Sequence, residues 1–265
     1  VAGTAAAGHA FDVSYLLRAG ALVLRYNNRR RDLTLPRLLR WHVSRDAVST
    51  RDLDFMGHMN NARYSRKGDM ARFRFVLATG LYASMKALGG EFVLGAITQR
   101  FRRELAWREA FNVYVRIVGW DDRAFYVEHV FVKKKRDTPS ARAVLAAHAA
   151  GDGAAITASS AEANVGTDNV ASVEAITRGI AAVGNALASA TDLEVASVLI
   201  GQLVIIPGKP GGKAPTPAAI AAHAGCPIPP VCPPPGDVAQ WSASVRDASS
   251  RVVPPRAPAK VRSRL

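Results

Sequence analysis

Residues 51–64, which read Arg-Asp-Leu-Asp-Phe-Met-Gly-His-Met-Asn-Asn-Ala-Arg-Tyr, carry the side chains best suited to chemistry. Carboxylates, a histidine and two asparagines stand there just before a helical pattern begins. The start of a helix presents unpaired backbone N–H groups and the positive end of the helix dipole, and such groups can hold an oxyanion. A carboxylate beside them can attack a carbonyl or activate a water molecule. The segment therefore has the parts for acyl transfer from a thioester.

The same residue types also have a simpler interpretation. Asp and Asn before a helix are ordinary caps that accept hydrogen bonds from its first N–H groups. His58 fits equally well as a hydrogen-bonded core residue. On residue types alone the capping interpretation is the plainer one, and both stay open.

A long helix is predicted from about Asn61 to about Ala78. Tyr64, Gly68, Ala71, Phe75 and Ala78 share one helical face, and Gly80 ends the helix. Because Gly68 and Ala71 are small, this face can approach a sheet closely.

Alternating or continuous apolar residues predict strands around this helix. The predicted strands are Leu39–Val43, Phe92–Ile97, Phe111–Ile117, Phe125–Phe131 and, with the weakest pattern, Ala141–Ala149. The segment Phe92–Ile97 reads as a strand buried on both faces, and Asp121–Arg123 reads as a hairpin turn. One long helix that must bury its face against several antiparallel strands predicts an α+β domain.

Both ends of the chain carry apolar stretches that this domain does not need. Residues 11–26 form an amphipathic helical pattern, and a helix is predicted from about residue 168 to 187. Leu193–Ile206 is apolar, Pro207–Pro235 reads as loop, and Val238–Val253 reads as a terminal helix. We expect the apolar stretches at 11–26 and 193–206 to contact something other than the domain core.

The run Asp-x-Asp-x-x-Gly-His-Met-Asn-Asn-x-x-Tyr at 52–64 resembles the signature of hotdog thioesterases of the 4-hydroxybenzoyl-CoA and acyl-ACP type. The chain is most similar to the group called thioesterase superfamily member six. That similarity includes Asp69, Ala71 and Arg72 on the helix, the hairpin motif at 119–126, the leader at 11–16, and the C-terminal motifs at 240–241 and 248–250. It implies a hotdog fold, in which an antiparallel sheet of about five strands wraps one long helix.

The resemblance also assigns roles to residues. It implies catalytic roles for Asp54, His58 and Asn60, with Asp54 as the carboxylate that attacks or directs water, and substrate-binding roles for Gly57, Asn61 and Asp69. The chain departs from the group at 65–68, where an apolar residue at 65 and a Glu at 67 are expected, and at Asp69, where many relatives have Glu.

Three regions are predicted. An N-terminal arm with the amphipathic helix covers 1–37, the hotdog domain covers 38–165, and a helical and Pro-rich extension covers 166–265. Within the extension, residues of about 185–236 look like an insertion relative to the group.

The chain has a net charge of +14, which favours an acidic partner. The charge is scattered without a nucleic-acid motif, so a solvated basic surface is an equally ordinary interpretation, and we expect no specific nucleic-acid partner. Arg suits the phosphates of CoA. Cys226 and Cys232 either close a small loop or are reduced thiols, and with His223 they do not have a familiar metal spacing. We expect no metal and no cofactor, with acyl-CoA as substrate or ligand.

Two functions follow. The first is an acyl-CoA-binding protein or thioester hydrolase, which the resemblance implies to act as a homo- or heterodimer with a second hotdog subunit. The second is a non-catalytic accessory subunit of a large mitochondrial inner-membrane assembly of respiratory type. A first residue other than Met, a basic chain and an amphipathic segment at 11–26 suited to peripheral membrane contact favour a mitochondrial location, with membrane association in another compartment as the alternative.

Overall fold

The computed structural model describes residues 13–26, 33–133 and 194–252. The helices are α1 Val13–Tyr26, α2 Leu35–Leu39, α3 Asn61–Ala78, α4 Leu81–Ala87, α5 Pro217–His223 and α6 Gly236–Val252, with a short 3₁₀ turn at Thr50–Asp52. The strands are β1 His42–Ala47, β2 Gly90–Phe101, β3 Ala110–Trp120, β4 Ala124–Lys133 and β5 Val195–Pro207.

These five strands form one sheet in the order β1-β3-β4-β5-β2, and all neighbours are antiparallel. The predicted hairpin turn at Asp121–Arg123 joins β3 to β4. Asp121 Oδ1 accepts hydrogen bonds from the N–H groups of Arg123 and Ala124, each at 2.8 Å, which fixes the turn. The long helix packs on this sheet, so the predicted α+β hotdog architecture is confirmed.

Helix α3 spans the residues that its apolar stripe predicts. Tyr64, Ala71 and Phe75 are buried at 1–3% exposure, and each large apolar side chain removed from water stabilises the fold by about 1.5–3 kcal/mol. Gly68 faces Phe131, and a Cβ there would meet ring and side-chain carbons at 3.6–3.7 Å. A small residue at this position therefore lets the helix lie close to the sheet.

The first strand is shifted from its predicted position. Residues Leu35–Leu39 are helical, and β1 begins only at His42. Leu38 and Leu39 are both fully buried, which a strand with alternating faces would not allow. The apolar positions before Trp41 thus belong to a helical turn that packs into the core.

The fifth strand lies where the sequence predicted an unpaired apolar run. β5 inserts between β4 and β2, with Leu199 paired to His129 on one side and to Gln99 on the other. The prediction that residues 193–206 contact something outside the core is therefore wrong. The predicted domain end at residue 165 leaves out a central strand, while the predicted strand Ala141–Ala149 and the predicted helix 168–187 lie outside the described residues.

Strand β2 is not buried on both faces, contrary to the prediction for Phe92–Ile97. It forms an edge of the sheet, and Val93, Leu94, Ile97 and Phe101 are 39–42% exposed. A continuous apolar run does not indicate whether its second face contacts protein or water, because sequence periodicity contains no information about the order of strands in the sheet. The result is an apolar edge of the sheet, which has no strand on its outer side among residues 33–133 and 194–252.

The C-terminal segment packs on this same sheet. The predicted terminal helix is present as α6, and the predicted loop at Pro207–Pro235 contains the short helix α5. The Trp120 ring N–H donates to the Pro229 carbonyl at 2.8 Å, and Trp120 and Cys232 exchange two backbone hydrogen bonds. Cys226 and Cys232 are buried, and no disulfide joins them. Much of the predicted extension is therefore part of the domain.

Helix α1 lies on α3 through polar contacts. The Tyr15 hydroxyl donates to Asp69, and the Arg66 guanidinium stacks over the Tyr15 ring. Apolar side chains of α1 remain exposed, namely Val13, Leu16, Leu17 and Leu24 at 45–79%. No helix in the described part of the chain is long and apolar enough to cross a membrane.

Candidate active site

Asp54 lies in a tight turn that ends three residues before the first residue of α3. Its Oδ1 accepts hydrogen bonds from the N–H groups of Met56 at 2.9 Å and His58 at 3.2 Å. Its backbone N–H donates to the His58 carbonyl at 2.9 Å. Within the described residues no hydrogen bond reaches Oδ2, so one carboxylate oxygen is held and the other is available for chemistry.

Gly57 makes this turn feasible. Its φ of +82° lies in the left-handed region, which residues with a Cβ rarely adopt. Its N–H donates to the Asp54 carbonyl at 3.2 Å. The two residues at the tip are unusually open, because Phe55 is 98% and Met56 64% exposed. An exposed apolar tip next to the candidate carboxylate points to a surface that a ligand or a partner would cover.

The segment between β2 and β3 supports His58 from the side. His58 and Ala106 form an isolated antiparallel bridge, and the Met59 N–H donates to the Leu105 carbonyl at 2.8 Å. The His58 Nε2 lies 3.4 Å from Glu104 Oε2, with 31% and 63% of the two side chains exposed. Solvent screens a pair this exposed, so it orients the imidazole more than it stabilises the fold.

The start of α3 is capped by its own asparagine. Asn60 Oδ1 accepts the Ala62 N–H at 2.9 Å, and the Asn60 carbonyl accepts the Arg63 N–H at 2.8 Å. In the described part of the chain the Asn61 N–H has no acceptor. The positive end of the helix therefore offers the Asn61 N–H to a developing negative charge.

Tyr64 closes the inner side of the site. Its ring packs edge-on against Phe101 and Phe131, with centroid distances of 5.3 and 5.4 Å. Burial raises the pKa of Tyr64 to about 12, and the nearby negative charges of Glu109, Glu104 and Asp54 act in the same direction. The hydroxyl therefore stays protonated at neutral pH.

Beneath the turn lies a buried ionic cluster that the sequence did not reveal. Lys67 is 6% exposed and its Nζ lies 3.1 Å from both Asp46 Oδ2 and Asp52 Oδ2. Asp52 Oδ2 also accepts the Ser49 N–H at 2.9 Å and the Ser49 hydroxyl at 2.6 Å. Burial acts to raise the pKa of Asp52, but the hydrogen bonds from Ser49 and Lys67 outweigh it and the pKa is lowered.

Asp69 does not join the other candidate residues. It lies eight residues beyond Asn61, about 12 Å along the helix axis. Its carboxylate is engaged by the Tyr15 hydroxyl and, at 2.5 Å, by Arg72. It lines a separate cleft of about 140 Å³ between α3, α4 and the edge of the sheet, smaller than the ~300 Å³ or more of most ligand pockets. A substrate-binding role for Asp69 at the same site stays a prediction.

The structure thus brings five of the six predicted site residues into one turn and helix start: Asp54, Gly57, His58, Asn60 and Asn61. Sequence reasoning missed Glu104 and Lys67. No local pattern marks Glu104, because its position beside His58 depends on how the β2–β3 connection crosses the loop. Within the described residues no three acidic, histidine or cysteine side chains are placed to hold a metal.

The chain is similar to proteins of known family and structure. A family model described as the thioesterase-like superfamily matches residues 48–155, which include the candidate site. A solved structure, the probable thioesterase YbaW from Escherichia coli, is similar with a TM-score of 0.44 and 13% identity over 69% of this chain and 96% of that chain.

Two curated relatives, both called Protein THEM6, indicate a particular family within this class. Protein THEM6 of Xenopus laevis is 40% identical over 141 residues, which are 53% of this chain and 67% of that protein. Protein THEM6 of Danio rerio is 44% identical over 126 residues, which are 47% of this chain and 60% of that protein. The chain therefore belongs to the thioesterase-like superfamily and, within it, to the Protein THEM6 family. It spans less than two thirds of the Danio rerio relative.

Proposed function

We propose that the chain binds an acyl-CoA thioester at the start of α3 and hydrolyses it with Asp54. One observation carries the proposal: Asp54 is fixed through a single carboxylate oxygen, in a turn that leads directly into the long helix. The thioesterase-like family supports the reaction class.

The proposed chemistry uses groups that the turn already orients. Asp54 Oδ2 attacks the thioester carbonyl or takes a proton from an attacking water, and the carbonyl oxygen becomes an oxyanion. The Asn61 N–H donates to that oxyanion, aided by the positive end of α3. The oxyanion then collapses and expels CoA thiolate. If Asp54 was the nucleophile, this step leaves a mixed anhydride, which water hydrolyses to the free acid and the Asp54 carboxylate while one proton of that water goes to the thiolate. If Asp54 activated a water, the free acid forms directly, and the thiolate takes up the proton that Asp54 had accepted. Exposed Arg side chains, for example Arg102 and Arg108, supply positive charge for CoA phosphates.

The test is hydrolysis of a panel of short and long acyl-CoAs by the full chain. Asp54→Asn should lower kcat by about 10²–10⁴-fold, because it removes the only group proposed to activate the nucleophile. The matched control is Asp122→Asn, which removes an exposed carboxylate at the β3–β4 turn and should leave the rate unchanged. Equal rates for wild type and Asp54→Asn would remove Asp54 from the mechanism.

A second hotdog subunit is proposed as a partner along β2. In the part of the chain that the structure describes, this strand has no neighbour on its outer side, and it exposes the apolar side chains Val93, Leu94, Ile97 and Phe101. Such an edge pairs readily with another strand. Ile97→Lys should shift a dimer towards monomers in sedimentation measurements. An unchanged sedimentation coefficient would place the partner surface elsewhere.

A non-catalytic role is the second candidate, as an accessory subunit of a large mitochondrial inner-membrane assembly. The exposed apolar side chains of α1 favour it, because Leu16, Leu17 and Leu24 lie beside Arg18 and Arg25 on one helix. Apolar and basic side chains together suit an anionic membrane or a membrane subunit. Asn60 also accepts hydrogen bonds from the Ala62 and Arg63 N–H groups, which fits a helix start that is capped rather than catalytic.

Native electrophoresis of mitochondrial membranes distinguishes the two candidates. Comigration of the chain with a large membrane complex, together with no hydrolysis of any acyl-CoA, would favour the accessory role. A chain found outside mitochondria and active on acyl-CoA would exclude it. Vesicle sedimentation with and without Leu17→Glu separately measures the proposed membrane contact of segment 11–26.

A further inference from the structure

The loop that carries Asp54 is fastened at its base by one buried ammonium group. Lys67 lies in the second turn of α3, and its Nζ reaches Asp46, Asp52 and, at 3.2 Å, the Ala47 carbonyl. An ammonium group has three hydrogens and here meets three acceptors. Because all three directions are used, the position of Asp52 relative to α3 is closely defined.

Asp52 transmits this restraint to the loop. Its carbonyl accepts the Asn60 N–H at 2.8 Å, while its carboxylate holds Lys67 and Ser49. The next pair towards the tip of the loop, Leu53 and Met59, forms an antiparallel bridge. The pair after that is Asp54 with His58. The chain from 52 to 60 is therefore a small two-stranded loop whose base is tied to Lys67 and whose last pair before the tip contains Asp54.

We propose that Lys67 is a positioning residue for Asp54, acting through Asp52; this rests on the proposed function. Burying an ammonium group is costly unless it is paired, and a buried ion pair is often no more stabilising than apolar residues of the same volume. The directional bonds of Lys67 do what apolar residues cannot: they allow one placement of the loop on the helix. Since misplacement of a catalytic group by about 1 Å can cost about 10²-fold in rate, that placement matters to Asp54.

Hydrogen exchange in the full chain tests the restraint without reference to activity. Lys67→Met should accelerate exchange of the Asn60 and His58 amides by about 10-fold or more relative to Val76 inside α3, because the base of the loop opens locally. Lys86→Met is the matched control, because Lys86 forms an exposed ion pair with Glu91. This substitution should change neither the Asn60-to-Val76 nor the His58-to-Val76 ratio of exchange rates. Unchanged exchange at Asn60, or the same acceleration at Val76, would overturn the proposal.

A second variant covers the case in which Lys67→Met fails to fold. Lys67→Met combined with Asp52→Asn leaves no unpaired charge at Asp52, and it should still accelerate exchange at Asn60 relative to Val76. A doubly substituted chain with wild-type exchange at Asn60 would refute the restraint.

Kinetics separates this proposal from the proposed function. With acyl-CoA as substrate, Lys67→Met should lower kcat by about 10–100-fold with little change in KM, because binding groups stay in place while the carboxylate is misplaced. If the wild type hydrolyses no acyl-CoA, the proposed reaction fails, and the exchange ratios alone decide whether Lys67 positions the loop. Accelerated exchange with an unchanged kcat would overturn the positioning role.

Discussion

Replacement of Gly119 by Ala tests whether the Pro-rich C-terminal stretch is part of the domain core. Gly119 lies near the end of β3, and a Cβ there would stand 2.7 Å from the Cα and N atoms of Pro234 and 2.8 Å from the Cys232 carbonyl oxygen. These are backbone atoms, so no side-chain rotation relieves the overlap. Cys232 must also hold its two backbone hydrogen bonds to Trp120, at 2.8 and 2.9 Å.

The expected loss follows from these contacts. Overpacking typically costs about 1–3 kcal/mol, and a displaced backbone hydrogen bond costs about 1 kcal/mol more. We therefore expect Gly119→Ala to lower the free energy of unfolding by about 2–4 kcal/mol, which for a chain of this size is a fall in Tm on the order of 5–15 °C.

Urea denaturation and thermal melting of the full chain measure the effect, with Gly236→Ala as the control. Gly236 is the first residue of α6, close to the same stretch, and a Cβ there meets nothing within 4 Å. Its substitution should change stability by less than about 0.5 kcal/mol. If Gly119→Ala melts within about 1–2 °C of the wild type, well short of the expected fall in Tm, the stretch does not pack on β3 as described, and residues 229–235 are an extension outside the core.

Three further outcomes are expected. Gly68→Ala should raise the free energy of unfolding by about 0.5–1 kcal/mol, since its Cβ meets only ordinary contacts at 3.6 Å or more and Gly is a poor helix former; a lower urea midpoint would contradict the described packing. Because the pKa of Asp52 is lowered in the folded chain, its stabilisation is present above about pH 4 and lost as pH falls further, and Asp52→Asn should flatten urea midpoints below that pH. Burial lowers the pKa of His129 to about 3, so as pH falls the unfolded chain binds this proton before the folded chain does. The free energy of unfolding should therefore fall as pH drops from about 6.5 towards 3. His129→Leu should remove this dependence on pH, and an unchanged dependence would assign it to other groups.

The helix and the hairpin could be predicted because their signals are local. The stripe from Tyr64 to Phe75 has one period and one buried face, and Gly80 ends it with φ of +81°. The turn at Asp121 needs only its own side chain to bond Arg123 and Ala124. No distant residue has to be known for either prediction.

The strand order could not be predicted because pairing partners are far apart in sequence. β4 ends at Lys133 and its neighbour β5 begins at Val195, with the Lys133 N–H bonded to the Glu194 carbonyl at 2.9 Å. The predicted strand Ala141–Ala149 lies outside the described residues, between these two strands along the chain. The run from Val195 to Ile206 is rich in β-branched residues, and that composition is the local signal by which a strand could have been predicted there.

The capping and catalytic interpretations of the candidate site use the same contacts. Asn60 caps α3 through Ala62, and Asp54 Oδ1 caps its own turn through Met56 and His58. Residue types alone could not separate the two interpretations, because both require these bonds. The catalytic interpretation also requires two groups that the capping bonds do not use, namely Asp54 Oδ2 and the Asn61 N–H. Only the folded geometry shows that these groups have no partner among the described residues.

Two departures from the related group acquire partners in this chain. The Ser65 hydroxyl, where an apolar residue was expected, donates to Gln99 Oε1 at 3.0 Å, and Gln99 Nε2 donates to Ser197 at 2.9 Å. Lys67, where Glu was expected, is saturated by Asp46, Asp52 and the Ala47 carbonyl. Lys67 is buried and Ser65 is half-buried, and a polar group that is buried without a partner costs about 1–3 kcal/mol. Both side chains find hydrogen-bond partners on other elements of the fold. The two changes therefore indicate that the loop and the helix start are held in place by contacts different from those expected, and that this part of the structure has not been lost.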